Sequence, residues 1–148
     1  MILQYFRKNE NIEKKNAINI YKRILILSNN FLNENSFFKN KDYNSSFEIV
    51  SFVLITYINL KIQNNINNYK ILNEELIKLF VSDLDESLRS KGIGDMSIGK
   101  YVKKYVKKFY FRLAKFPTKI DANNLRCFIK YLSYFDFIKN NEEDHASK

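Results

Sequence analysis

Three carboxyls crowd the segment Asp83-Leu84-Asp85-Glu86, and paired carboxylates are equipment for general acid–base chemistry. Helical spacing works against that use. Leu72, Leu76, Phe80, Leu84 and Leu88 recur every four residues, which predicts an amphipathic helix over about Tyr69 to Ser90. The phase of that helix sends Asp85 roughly opposite to the leucine stripe, toward solvent. Asp83 falls nearer the stripe's edge, where it could pair with Lys103 or Arg112 and pack two helices together. The single histidine, His145, stands in the polar tail, so a His–Cys pair with the single Cys127 would need that tail to fold back. Zinc, which usually takes His and Cys ligands, lacks enough of them. Gly92-Ile93-Gly94 is not a nucleotide fingerprint, because the third glycine is misplaced and no strand precedes it. The expectation is a protein with no catalytic residues, no metal and no cofactor.

The chemistry that remains is that of a charged surface. All three glycines, Gly92, Gly94 and Gly99, fall within eight positions and predict a tight elbow after the leucine helix. Gly92 can end that helix in a left-handed conformation, and Asp95 or Ser97 can cap the next one. On a wheel of about 100° per residue, Val102, Tyr105, Val106, Phe109 and Leu113 gather on one side of the following helix. Lys100, Lys103, Lys104, Lys107, Lys108 and Lys115 gather on the other, and no acid interrupts Lys100 to Lys115. A solvated face usually mixes signs, so a stripe of one sign is more than routine solubility. Phe111 projects from the middle of it, as an anchor for an apolar partner or for a membrane's headgroup boundary would.

The block Ser87-Leu88-Arg89, Gly92-Ile93-Gly94-Asp95, Lys103-Lys104 and Phe109-Tyr110…Arg112 resembles the core motif of the ubiquinol–cytochrome c chaperone family. The family pattern is an acidic helix ending in Ser-Leu-Arg, a Gly-x-Gly-Asp elbow and a lysine-rich helix closing in Phe-Tyr-Gly-Arg. Asp83 and Asp85 match the acids that lead into it. A weaker likeness runs upstream through Tyr21, Phe37-Phe38 and Phe47-Glu48, so the resemblance covers about Tyr21 to Phe116. The chain departs from the pattern at Glu86, where Arg is common, and at Phe111, where Gly stands. The resemblance implies a non-catalytic assembly factor that binds newly made cytochrome b until the respiratory complex assembles. It also brings the ribosome, beside which the mitochondrial relatives work, into view as a partner. The residues expected to meet a partner are Arg89, Lys100, Lys103, Lys104, Lys107, Lys108, Tyr110, Phe111 and Arg112. Those expected to build the elbow are Asp83, Gly92, Gly94, Asp95 and Gly99.

The rest of the chain predicts what positions them. The 148 residues suit one domain with one core, an all-α bundle of about five to six helices over residues 13–139. Residues 1–12 read as a flexible N-terminus and 140–148 as a disordered tail. Ala17, Ile20, Tyr21, Ile24 and Leu27 predict a helix from about Glu13 to Asn29. Asn29 to Ser46 reads as a loop with a short helix around Phe37-Phe38. Phe47 to Ile62 is nearly all apolar and reads as a core helix, short of the roughly 20 apolar residues that span a bilayer. An Asn-rich turn follows over Gln63 to Asn68. Asp121 to Lys139 reads as a last helix with Leu125, Phe128, Ile129, Leu132 and Phe135 inward.

The net charge of +9 points to anionic partners: RNA, acidic lipid headgroups or an acidic protein face. An AT-rich genome imposes much the same richness in Asn, Lys, Ile, Tyr and Phe, so it is the arrangement of the lysines that carries weight. One cysteine excludes an internal disulfide and fits a reducing compartment. The start has no signal-peptide core, and Glu10 and Glu13 argue against a mitochondrial presequence, which suggests a bacterial member. The expected location is the bacterial cytoplasm, peripheral on the anionic inner-membrane surface, with no DNA partner. Two other readings stand beside this one. A small RNA-binding or ribosome-associated helical protein would explain the charge and the ten tyrosines, since bases stack on aromatics. A peripheral protein binding anionic lipid would explain the stripe.

Overall fold

A computed structural model describes residues 2–34, 42–64, 69–118, 120 and 122–136, and among them finds only helices. They are α1 (Ile2–Glu34), α2 (Tyr43–Gln63), α3 (Tyr69–Ser90), α4 (Asp95–Lys115), a 3₁₀ turn (Ala122–Asn124) and α5 (Leu125–Leu132). The all-α class expected from the periodicity is the class found, and α3 has the bounds that its leucine repeat predicts.

Three boundaries differ from expectation. The first helix runs from Ile2 to Glu34, longer at both ends than the expected Glu13–Asn29. α2 begins at Tyr43 rather than Phe47 because Asp42 caps it: the Ser45 amide donates to Asp42 Oδ1 at 2.8 Å. α5 is much shorter than the expected Asp121–Lys139 helix, and a turn over Ser133–Phe135 follows it. The Phe37-Phe38 helix, most of the Asn-rich turn, His145 and the tail lie outside the described residues.

The described helices form two compact units, one drawing on Met1–Ile24 and Leu60–Lys108, the other on Leu25–Asn59 and Phe109–Lys148. In the first, α3 contributes Leu72, Leu76, Phe80, Leu84 and Leu88, all buried, and α1 contributes Ala17, Tyr21 and Ile24. Ile98 joins this core from α4. Each such leucine taken fully out of water stabilises the fold by about 1.5–3 kcal/mol before entropy is counted. The Tyr21 hydroxyl donates to Asp83 Oδ2 at 2.8 Å, so α1 is the neighbour that occupies Asp83. The sequence offered Lys103 or Arg112 as the partner of Asp83, and Tyr21 is the one its hydrogen bond goes to.

The core of the second unit is built from Phe47, Ile49, Leu54, Ile55 and Ile58 of α2, Leu32 of α1, Phe109, Phe116, Tyr131 and Phe135. Polar side chains of α2 are absorbed locally. Thr56 Oγ1 donates to the Phe52 carbonyl and Asn59 Nδ2 to the Ile55 carbonyl, both at 2.9 Å. By length and composition α2 could cross a membrane, with a mean hydropathy of 1.4, but a buried core helix passes the same test. Leu27, Leu125 and Ile129, expected inward, are 58%, 55% and 59% exposed. In α5 the buried face is instead set by Tyr131, with Phe135 buried in the turn after it, and Leu125 and Ile129 lie beyond that face's edge.

Candidate functional site

The elbow is a helix stop with a tie across it. Gly92 has φ of 88°, the left-handed region that a Cβ disfavours. Its amide donates to the Arg89 carbonyl at 2.9 Å, and the Ile93 amide donates to the Leu88 carbonyl at 3.3 Å. That pair is the Schellman closure, which satisfies the carbonyls left open at a helix end. Gly94 opens α4 instead: its carbonyl accepts from the Ser97 and Ile98 amides at 2.9 and 3.0 Å. Among the described glycines only Gly92 has positive φ, and a Cβ at Gly94 or Gly99 would meet nothing within 4 Å. The three-glycine elbow expected from the sequence therefore reduces to one glycine that the backbone requires.

Arg89 ties the two helices. Its Nε donates to Asp85 Oδ2 at 2.6 Å, one turn back on α3, and its Nη1 donates to Asp95, the first residue of α4. The Asp85 hydrogen bond first, and the Asp95 bond second, hold the guanidinium's proton more tightly than usual. Asp95 also sits where the helix dipole favours an anion. Expected as a cap, it is the first helical residue and serves as the arginine's partner. Arg89 is still half-exposed, so the tie lies at the surface.

Beyond it, Lys100, Lys103, Lys104 and Lys107 are exposed and Lys108 half-buried. Val102, Tyr105 and Val106 are half-buried, so the sides of α4 divide as the wheel predicts. In the second unit Tyr110 and Phe111 are 47% and 49% exposed. The Phe111 ring meets Tyr134 edge-on at 5.4 Å between centroids, and Lys115 Nζ lies 5.9 Å from its centroid. Phe111 thus has a ring on one edge and a cation nearby.

Arg112 does not belong to that surface. It is 0% exposed, and burial removes it from the contact residues expected from the sequence. Its Nη2 donates to Glu48 Oε2 at 2.5 Å and to the Tyr134 carbonyl at 2.9 Å, and Nε donates to the same carbonyl at 3.2 Å. Glu48 Oε2 also accepts from the Asp136 amide at 3.0 Å. The Phe135 ring lies 4.2 Å from the guanidinium carbon. Beside them Tyr131 packs edge-on against Phe116 and Phe135, and its hydroxyl has no hydrogen-bond partner among the described residues. Burial pushes that phenol well above its ordinary range, and the Arg112 charge offsets part of the rise.

Tyr131 and Tyr134 were not singled out by the sequence, and Glu48 entered only through the Phe47-Glu48 likeness, with no role of its own. Their signal was present. Glu48 is the single charge in the run from Phe47 to Leu60, and a carboxylate among apolar residues needs a cation. On the α4 wheel Arg112 lies only 60° from Phe109, on the apolar side, at about 100° per residue. Among the described residues no group of three or more His, Cys, Asp or Glu could hold a metal ion.

The sequence model of the Ubiquinol-cytochrome C chaperone family matches residues 26–126, about two thirds of the chain and the whole of the elbow motif. No curated protein and no solved structure matches.

Proposed function

The chain belongs to the ubiquinol–cytochrome c chaperone family, and from that membership we propose that it is a non-catalytic assembly chaperone whose client is newly made cytochrome b. The match across residues 26–126 carries the reading. The geometry supports it. A client rich in membrane helices emerges beside an anionic bilayer and a ribosome. Exposed lysines of α4 in the first unit offer charge to such a client, and in the second unit the exposed Tyr110 and Phe111 offer aromatic area. Arg89 fixes the angle at which α4 leaves α3 and so aims the lysines. The place of work is the cytoplasmic face of a bacterial inner membrane, where the chain is peripheral.

Co-purification from native membranes tests this, scored for cytochrome b against ribosomal RNA. Cytochrome b should be enriched, and exchanging Lys100, Lys103, Lys104 and Lys107 for Glu should remove it while helix content stays unchanged. Raised salt should mimic the variant, because charges are screened within about 10 Å at 0.1 M. Deleting the gene should lower assembled ubiquinol–cytochrome c reductase without lowering cytochrome b transcript. RNA recovered without cytochrome b, together with a normal complex in the deletion strain, would replace this reading with the RNA-binding one.

A further inference from the structure

The apolar arc of α5 is wider than the core it serves. At about 100° per residue, Tyr131 and Phe128 bound the inner 60° of the helix, and Leu132, Leu125 and Ile129 extend the arc by about another 100°. Tyr131 and Phe135 are 2% and 0% exposed, whereas Leu125 and Ile129 are 55% and 59% exposed. Immediately past Ile129 around the helix come Arg126 and Lys130, both exposed. No acid occurs from Ala122 to Phe135. One flank of a short helix therefore holds two uncovered aliphatic side chains bordered by two cations one turn apart.

We propose that this flank of α5 is an interfacial anchor that seats Leu125 and Ile129 at the headgroup boundary of an anionic lipid surface. The arrangement matches what an interfacial helix needs: apolar groups to immerse by one side and cations at the rim to meet lipid phosphates. The other occupants fit less well. A stable protein interface needs roughly 800 Å² from each partner, which two aliphatic side chains do not supply. A second copy would bring another chain of charge +9 against the same cations. The proposal rests on the membrane location in the preceding reading and adds the element that makes the contact; it does not depend on the client.

Sedimentation of the full chain with vesicles tests it, using phosphatidylcholine alone and phosphatidylcholine mixed with phosphatidylglycerol. The parent chain should pellet with the mixed vesicles and not with the neutral ones. Leu125→Ser with Ile129→Ser should weaken partitioning roughly tenfold or more, with unchanged helix content because both residues are exposed. Arg126→Glu with Lys130→Glu should weaken the preference for phosphatidylglycerol more than charge reversal of any two exposed α4 lysines does. The proposal is overturned if the Leu125/Ile129 variant pellets like the parent. It is also overturned if the parent ignores both vesicles and instead dimerises through this flank in sedimentation equilibrium. Capture of cytochrome b from detergent-solubilised membranes, run in parallel, separates the two readings. Lost vesicle binding with intact capture confirms α5 as anchor. Vesicle binding without capture by the parent chain refutes the client and leaves the anchor standing.

Discussion

Arg89 and Arg112 close the two halves of one motif, and the fold uses them in opposite ways. Arg89, in the first unit, stays half-exposed between Asp85 and Asp95. Arg112, in the second, is shut away from water with Glu48, the Tyr134 carbonyl and the Phe135 ring. The same guanidinium is a surface tie in one place and an internal strut in the other. Solvent decides the difference. Water stands ready to replace either partner of Arg89, but nothing replaces a missing partner of Arg112. An exposed pair contributes little, whereas breaking a buried pair leaves a charge with no compensation.

The largest effect should therefore come from Arg112→Met, which strands Glu48. Urea unfolding should show a loss of about 3–5 kcal/mol. Replacing Glu48 with Leu at the same time should recover most of that loss, because an apolar pair of similar volume suits the site. A double variant no more stable than the single one would mean that Tyr134 and Asp136, not Glu48, make the strut valuable.

The elbow comes next. Gly92→Ala places a Cβ on left-handed backbone and should cost about 1–2 kcal/mol. Gly94→Ala should cost less, since Gly94 is not at positive φ and its Cβ would meet open space. Equal losses at the two glycines would contradict the elbow geometry.

Arg89→Ala should move the unfolding midpoint less than either. Whatever difference remains should vanish as salt is raised, because exposed pairs are screened. A large, salt-insensitive loss would put Arg89 in the same class as Arg112 and remove the contrast.

Tyr131→Phe should be the quietest change at neutral pH, since the hydroxyl it deletes is buried without a partner among the described residues. Alkali should reveal it. An unfolded tyrosine ionises near pH 10, and folded Tyr131 keeps its proton above that. The stability this lends is whole below about pH 10 and is lost as pH rises from there. The parent should thus weaken relative to the variant above about pH 10, as read from paired urea titrations. Parallel pH profiles would mean that Tyr131 finds a partner in solution.

What was legible in the sequence follows the range of the interactions. The bounds of α3 and the sides of α4 are local periodicities, and both hold. Gly92 as a helix stop is local chemistry, and it holds as well. The burial of Arg112 is not local: Glu48 lies 64 positions away, and only the packing of α2 against α4 within the second unit joins them. Leu27, Leu125 and Ile129 were read inward because they are apolar, yet which apolar flank is covered depends on the neighbouring helix. The conformation of Gly94 was unreadable for a simpler reason, since glycine permits either sign of φ without requiring one.

The strut has a schedule as well as a strength. A chain is made from its N-terminus, so Glu48 and Arg112 exist before Tyr134 and Asp136, the two groups that complete their hydrogen bonds. Tyr134 follows Arg112 by 22 positions, about one to four seconds at 5–20 residues per second. Until they are made, the core of the second unit also lacks Tyr131 and Phe135. The first unit carries no such delay, for its described members end at Lys108. A chain that stops short of Tyr134 would therefore keep every described member of the first unit and lack the groups that complete the Arg112 strut of the second.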